Sequence, residues 1–279
     1  MTKHEVVSQE QWIEARRALL ADEKAWTRER DRLSEKRRAL PWVKVGKDYV
    51  FDGADGPVTL ADLFDGRTQL IVYHFMFGPE WEEGCPGCSL LSDHVDGARQ
   101  HFEHNDVSFV AVSRGPIEKL QSYRARMGWT FRWVSSANSD FNFDYHVSFP
   151  KDARERGVYY NFEEVPDPEI DELPGISVFY KDDDGTIYHT YSTYGRGGEM
   201  FLGVYGWLDV VPKGRNETKN GNLMDWVRRH DRYEDDGRTR PAAGPARQTH
   251  AQADCCSATA SSGSPATAAP ARDSSGGMT

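Results

Sequence analysis

The feature that most constrains the fold is a pair of cysteines, Cys85 and Cys88, that lies between an apolar segment and an amphipathic one. Residues 70–77 read Leu-Ile-Val-Tyr-His-Phe-Met-Phe, which predicts a strand buried on both faces. Residues 88–104 have the apolar spacing of an amphipathic helix. The sequence therefore predicts an α/β fold in which two thiols lie where a buried strand leads into a helix.

This position predicts unequal roles for the two thiols. Free N–H groups and the positive end of the dipole at a helix N-terminus favour thiolate over thiol, so Cys85 is the predicted nucleophile. Cys88 lies one turn further on, and we expect it to attack a mixed disulfide formed on Cys85, which releases the substrate in its reduced form. The chemistry requires both sulfurs to be close together and reachable from solvent.

A C-x-x-C pair can also be half of a zinc site, which needs a second pair of Cys or His ligands. Residues 1–233 contain no second pair, so redox chemistry is the favoured interpretation and no metal or other cofactor is predicted. His94, His101 and His104 fall near one helical face, but they lack the spacing of strong metal-binding helices.

Charge and hydropathy exclude several classes of partner. The formal net charge of −10 is spread along the chain without a long basic run, which argues against nucleic acid and anionic membrane as partners. The first residues are polar, and the longest apolar run is too short to span a bilayer. We therefore expect a cytoplasmic protein, in which cysteines are more often reactive than structural.

Three regions are predicted: a helical arm over residues 1–40, a folded domain over 41–233 and a disordered low-complexity tail over 234–279. Ser8 and Gln11 form a capping-box pattern at the start of the arm. Apolar residues then recur every seven positions, at Trp12, Leu19, Trp26, Leu33 and Leu40. We favour packing of this stripe on the chain's own domain, with a homodimer through the helix as the alternative. Cys255 and Cys256 in the tail are interpreted as incidental.

The order of elements within the domain predicts a partly parallel sheet. A hairpin over residues 49–60 and a short helical turn over 60–64 precede the strand at 70–77. Another strand (107–113), a helix (116–127) and a short strand (131–134) follow the cysteines and complete the βαβ pattern. An antiparallel hairpin covers 173–192, with helices expected after the glycine-rich turn at 195–198, through Trp207, and from 223 to 230. The aromatic segment 135–168 is either an insertion that covers a site or a region without assignment.

These features resemble the thioredoxin-like superfamily, and the hairpin with its helical turn resembles members related to alkyl hydroperoxide reductase and thiol-specific antioxidant proteins. Several segments resemble, more narrowly, the uncharacterised bacterial family called domain of unknown function 899. They are Tyr-His-Phe-Met-Phe-Gly-Pro (73–79), Gly-Cys-Pro-Gly-Cys-Ser (84–89), Trp-Val-Ser-Ser (133–136), Leu-Pro-Gly-Ile-Ser-Val-Phe-Tyr (173–180) and Trp-Val-Arg-Arg-His-Asp (226–231). The resemblance implies a thioredoxin-like mixed sheet flanked by helices, but it supplies no reaction.

The resemblance also implies roles for individual residues. Pro174 matches the cis-proline that lies against the C-x-x-C in this fold, and Leu173, Pro174 and Trp81 are the expected substrate contacts. Thioredoxins bury an acid on the strand before the cysteines, where this chain has Tyr73 or His74, and strand alternation allows only one of the two to face the sulfurs. That residue is expected to support proton transfer to or from Cys88, although a hydrogen-bonded core histidine is an equal interpretation of His74.

The sequence thus favours a thiol–disulfide oxidoreductase acting on a protein or small-molecule substrate, with Cys85 attacking and Cys88 resolving. One alternative is a thiol peroxidase. Peroxiredoxins carry a threonine three residues before the reactive cysteine, however, and Glu82 stands there in this chain. The other alternative is a metal-binding or partner-binding module without enzymatic activity.

Overall fold

The computed structural model describes residues 4–215, 217, 224 and 226–233, and these residues form an eight-stranded sheet flanked by helices. The strands of the large sheet are β1 (Val43–Lys44), β2 (Val50–Gly53), β3 (Gly56–Thr59), β4 (Gln69–His74), β5 (Val107–Ser113), β6 (Arg132–Ser135), β9 (Gly175–Lys181) and β10 (Ile187–Tyr194); β7 (Val158–Tyr160) and β8 (Glu163–Val165) form a separate small sheet. The helices are α1 (Gln9–Arg38), α2 (Pro86–Ser92), α3 (Val95–His104), α4 (Ile117–Met127), α5 (Phe141–Asp144), α6 (Lys151–Arg154) and α7 (Gly203–Leu208), with 3-10 turns at Ala61–Phe64 and Gly195–Phe201.

The strand order is that of a thioredoxin-like fold. The sheet runs β1-β10-β9-β4-β5-β6-β2-β3, with β4 parallel to β5 on one side and antiparallel to β9 on the other. The strand that precedes the cysteines is therefore central, and the β9–β10 hairpin lies next to it. This arrangement confirms the predicted mixed sheet and brings the residue before β9, Pro174, to the same end of the sheet as the loop that follows β4.

The two faces of β4 contact different hydrophobic cores. Tyr73 belongs to a core that includes Cys88, Trp129 and Trp133. Leu70 and Val72 belong to a second core, built around Phe64, Phe141 and Phe179. Because successive side chains of a strand point to opposite faces, this division decides which residues of β4 reach the cysteines.

Helix α1 begins as predicted, with Ser8 and Gln11 forming the capping box. The prediction that its apolar stripe packs on the chain's own domain is wrong, because no described residue of α1 is buried and Trp26 is 64% exposed. At its C-terminal end the Arg37 guanidinium lies over the ring of Tyr191. A homodimer through this helix stays a prediction.

Other expectations change in detail. The helix predicted over 88–104 is two helices, α2 and α3, separated at Asp93 and His94. The segment 135–168 holds α5, α6 and the small β7–β8 sheet, so it is an ordered insertion. Residues 226–230 are not helical, which corrects the last predicted helix. The tail over 234–279, with Cys255 and Cys256, lies outside the described residues.

Candidate dithiol site

Cys85 is the residue that caps the N-terminus of α2, and Pro86 occupies the first helical position, where no N–H donor is needed. The Cys85 N–H donates to the carbonyl oxygen of Met76 at 3.1 Å, which ties the loop back to the segment after β4. The Cys85 carbonyl oxygen accepts from both the backbone N–H and the hydroxyl of Ser89, each at 2.9 Å. Hydrogen bonds therefore hold the backbone of Cys85 through both its N–H and its carbonyl oxygen.

The two cysteines are free thiols with different exposure. Cys85 is partly exposed, whereas Cys88 is buried, with 2% of its surface exposed. This corrects the expectation that both sulfurs are open to solvent, because Cys88 points into the core from the first turn of α2. Both residues nevertheless line one cavity, so a group bound there can contact either sulfur.

The environment separates the pKa values of the two thiols. A hydrogen bond from the Cys88 thiol, together with backbone N–H groups of Cys88 and Gly87 and the charge of Arg229, lowers the pKa of Cys85 to about 7 against the opposing effect of burial. Burial and the neighbouring Cys85 raise the pKa of Cys88 well above its ordinary value. Near neutral pH, Cys85 is therefore the thiolate and Cys88 the thiol, as a nucleophile and a resolving group require.

Tyr73 is the residue of β4 that faces the sulfurs. Burial raises the pKa of Tyr73 well above its ordinary value, and the neighbouring Cys88 sulfur acts in the same direction. The phenol therefore stays neutral, and as a donor beside Cys88 it favours the thiolate that the resolving step needs.

His74 lies on the other face of β4, which corrects the expectation that it serves Cys88. Its ring stacks on Phe141 and Tyr145, and its Nε2 is 2.8 Å from the Ser177 hydroxyl. Burial lowers the pKa of His74 to about 3, so the ring is neutral at physiological pH. His74 is therefore a hydrogen-bonded residue of the core, on the face of β4 opposite Tyr73.

Arg229 is a site residue to which sequence reasoning gave no role in catalysis. Its Nη2 and Nε donate to the Gly84 carbonyl oxygen at 2.6 and 3.1 Å, and Nε also donates to the Tyr123 hydroxyl at 3.0 Å. Nη1 is 2.9 Å from the Glu83 carboxylate. The guanidinium therefore holds the residue before Cys85 and places a positive charge near the sulfur.

We expect Arg229→Met to raise the pKa of Cys85, because it removes a cation that favours the thiolate. The midpoint for alkylation of Cys85 against pH should move up by roughly 0.5 to 1 pH unit. Arg228→Met is the matched control, since it removes the same charge from a guanidinium that donates to the Val227 carbonyl. Equal midpoints for the two variants would contradict the role of Arg229.

A cavity of about 320 Å³ adjoins the two sulfurs. Pro174 is in its wall, on the same side of the sheet as the cysteines. Trp81 and Leu173 are not among the described residues that line it, so the structure does not bring these two expected substrate contacts to the cavity. The described lining residues are Tyr73, Met76, Cys85, Gly87, Cys88, Leu91, Pro174, Gly175, Ile176, Thr193, Tyr194, Gly195, Arg196, Gly198, Glu199, Leu202 and Met224.

The insertion over residues 135–168 forms hydrogen bonds with the segment around Pro174. The Leu173 N–H donates to the Val147 carbonyl oxygen at 2.8 Å. The Tyr160 hydroxyl donates to the Pro174 carbonyl oxygen at 2.7 Å and accepts from the Gly195 N–H at 2.8 Å. Two backbone groups next to the predicted substrate site are thus already bonded within the chain.

The acidic residues before the cysteines are surface charges in ion pairs. Glu82 is 2.9 Å from the Lys119 ammonium and its side chain is 84% exposed, while Glu83 pairs with Arg126 and Arg229. Among the described residues, no group of three or more His, Cys, Asp or Glu side chains is arranged to hold a metal ion. His94 instead accepts the Val204 N–H at 3.1 Å.

The fold and the paired thiols define a thioredoxin-like protein with a C-x-x-C dithiol at the start of the helix that follows its central strand. The chain belongs to the family described as "Bacterial protein of unknown function (DUF899)", whose profile matches residues 1–233. The family resemblance inferred from the sequence is thereby confirmed. No curated protein matches the chain in sequence.

Solved structures similar to this chain include several peroxiredoxins. Peroxidoxin BcpB from Mycobacterium tuberculosis is 14% identical over 59% of this chain and 94% of its own, with a TM-score of 0.40. A mutant of Xanthomonas campestris Peroxiredoxin Q is 13% identical over 57% and 90%, with a TM-score of 0.39. The mitochondrial 2-Cys peroxiredoxin from Plasmodium falciparum is 14% identical over 60% and 92%, with a TM-score of 0.35. These scores are low, and the fold assignment rests on the strand order.

None of the helices in the described part of the chain has the length and hydropathy needed to cross a membrane.

Proposed function

We propose that the protein is a thiol–disulfide oxidoreductase of the cytoplasm in which Cys85 is the nucleophile and Cys88 the resolving thiol. The observation that carries the proposal is the placement of two free thiols in one cavity at the start of α2, with Cys85 partly exposed and Cys88 buried. The pKa of Cys85 is lowered to about 7, and that of Cys88 is raised. The first thiol attacks at neutral pH, and the second stays protonated until the first has reacted.

The remaining groups of the site fit this sequence of steps. The Cys85 thiolate attacks one sulfur of a substrate disulfide, the S–S bond breaks, and one substrate thiolate leaves. Cys88 then gives up its proton to water, with Tyr73 as the neighbour that favours the thiolate, and attacks the Cys85 sulfur. The second substrate thiolate leaves, and a Cys85–Cys88 disulfide remains, so two electrons pass from the protein to the substrate.

The direct test is the reduction of a small dialkyl disulfide with dithiothreitol as the reductant. Cys85→Ser should reduce the protein-dependent rate by at least roughly 1,000-fold, to the background rate, because serine cannot replace the thiolate in exchange. The full chain with Cys255→Ser and Cys256→Ser is the reference, since it excludes the two tail thiols. Equal rates with and without Cys85 would contradict the proposal.

Measuring the consumption of hydrogen peroxide in parallel distinguishes the proposed reaction from that of a thiol peroxidase. Consumption of hydrogen peroxide that depends on Cys85, without any disulfide turnover, would replace the proposed reaction with a peroxidase one. Stoichiometric zinc or copper bound to the reduced protein, again without turnover, would support a binding module instead.

A further inference from the structure

We infer that the dithiol site takes a small disulfide that carries an uncharged apolar group, and not an extended protein segment. The inference rests on the proposed function and adds the class of substrate to it. Three features carry it: the chemistry of the cavity wall, the pairing of the charges in that wall and the occupied backbone groups beside Pro174.

The cavity next to the sulfurs has an apolar interior. Its described wall includes Met76, Leu91, Ile176 and Leu202, which are buried side chains, together with Met224. A cavity of about 320 Å³ is at the lower end of the range for small-molecule sites. It has room for a short alkyl chain or one aromatic ring on the substrate sulfur, and burying such a group is favourable.

The charged residues of the described wall form an ion pair, and Glu199 also lies 3.6 Å from Arg215. Arg196 and Glu199 are the only Lys, Arg, Asp or Glu residues among the described lining residues. They bind one another through two contacts, Nε to Oε1 at 2.7 Å and Nη2 to Oε2 at 3.3 Å. A carboxylate on the substrate would have to compete with Glu199 for Arg196, and an ammonium would have to compete with Arg196 for Glu199. The described wall therefore favours a neutral substrate group.

A protein substrate would have to add an extended strand beside Pro174, and two of the backbone groups there are already bonded. The Leu173 N–H is taken by Val147 and the Pro174 carbonyl oxygen accepts from Tyr160. An incoming strand must break these bonds or do without them, and each backbone bond lost costs about 1 kcal/mol. A small molecule needs neither group, because it enters the cavity and reaches the sulfurs directly.

The same geometry assigns a place to each half of the substrate. In the mixed disulfide the Cys85 sulfur is bonded to one substrate sulfur, whose apolar group occupies the cavity. The other half has left as a thiolate that takes a proton from water. When Cys88 attacks the Cys85 sulfur, the S–S bond to the retained half breaks and that half leaves as the second thiolate. Dithiothreitol then reduces the Cys85–Cys88 disulfide.

The test compares small disulfides of matched size, with dithiothreitol as reductant and with correction for the uncatalysed reaction of each. Going from dimethyl to diethyl to dipropyl disulfide should raise kcat/KM by roughly fourfold per methylene. Bis(2-hydroxyethyl) disulfide has the same number of heavy atoms as dipropyl disulfide but ends in hydroxyl groups. It should react at least about tenfold more slowly, because moving its hydroxyl groups from water into a mainly apolar cavity is costly. The dicarboxylate analogue and insulin, a protein disulfide, should be slower still.

Substitutions in the cavity wall test whether the preference for apolar substrate groups arises there. Leu202→Trp fills the cavity and should cut kcat/KM for dipropyl disulfide by about 15-fold, to near the value for dimethyl disulfide. The control Val210→Trp introduces the same side chain at a position that is 79% exposed and should leave the rates unchanged. Alkylation of Cys85 by iodoacetamide, which needs no large cavity, should stay within about twofold in both variants if the fold and the thiolate are intact.

The outcomes distinguish the inference from the proposed function. Reduction of all the disulfides at similar corrected rates, a preference for insulin, or dipropyl turnover that is insensitive to Leu202→Trp would overturn the substrate class and leave the oxidoreductase intact. If no disulfide is reduced in a Cys85-dependent reaction, the proposed function is overturned and the substrate class with it.

Discussion

Cys88→Ser is expected to stop the reaction at the mixed disulfide. Without the second thiol, the adduct on Cys85 can be released only by an external thiol such as dithiothreitol, and steady-state turnover at limiting dithiothreitol should fall by at least roughly 100-fold. Intact-protein mass spectrometry after treatment with dipropyl disulfide should show one propylthio group per chain, on Cys85. The reduced wild-type chain should instead end as an internal disulfide that carries no adduct.

The controls for this prediction are available in the chain. Cys85→Ser should form no stable adduct, because Cys88 is buried and its pKa is raised. Both variants need the Cys255→Ser and Cys256→Ser background. An adduct that forms equally well on Cys88 in the Cys85→Ser chain would mean that the roles of the two sulfurs are reversed.

Arg114→Met is expected to have the largest effect on stability, at about 3 kcal/mol at pH 8.5, where Glu172 is mostly ionised in the wild-type chain. The Glu172 carboxylate is almost fully buried, its Oε1 is 3.1 Å from Arg114 Nη1, and its Oε2 accepts from the Ser148 hydroxyl at 2.5 Å. Burial raises the pKa of Glu172 to about 7, even with Arg114 in place. Removing the arginine leaves this acid without a counter-charge, and urea unfolding followed by circular dichroism measures the cost.

The pH dependence of this effect has a definite sign. Because the folded-state pKa of Glu172 is above its unfolded value of 4.5, the folded chain binds the extra proton, and the contribution of Glu172 to stability falls as pH rises from about 4.5 to 7. In Arg114→Met this decline should extend to higher pH, so the variant should lose more stability at pH 8.5 than at pH 5.5. Adding Glu172→Gln, which keeps a partner for Ser148, should restore most of the loss. A cost that is the same at both pH values would contradict the account.

Much of the fold follows from local sequence patterns. The apolar run of β4, the cysteines after it and the proline before β9 are enough to predict a central strand, a helix start and a hairpin on the far side of that strand. The capping box at Ser8 fixed the start of α1 correctly for the same reason, since it depends on residues three positions apart. Signals of this kind need no tertiary information.

The parts that were missed depend on contacts between distant segments. The choice between Tyr73 and His74 needed the face of β4 that carries the cysteines, which alternation alone leaves open. Arg229 is 144 residues from Cys85 in sequence and reaches the Gly84 carbonyl only through the fold. Tyr160 lies in a segment without clear periodicity, and its bond to Pro174 gave no signal in the sequence. The spacing of apolar residues in α1 likewise predicted a stripe but not that the stripe is exposed.

The central claim is that the fold makes one thiol a nucleophile and keeps its neighbour protonated, and the pH dependence of alkylation tests it most directly. Reduced protein with Cys255→Ser and Cys256→Ser is treated with iodoacetamide at a series of pH values, and the modification of Cys85 and Cys88 is quantified separately by peptide mass spectrometry. The account predicts a midpoint near pH 7 for Cys85 and no appreciable reaction of Cys88 across the neutral range. Equal reactivity of the two thiols, with midpoints near that of free cysteine at about 8.5, would contradict it.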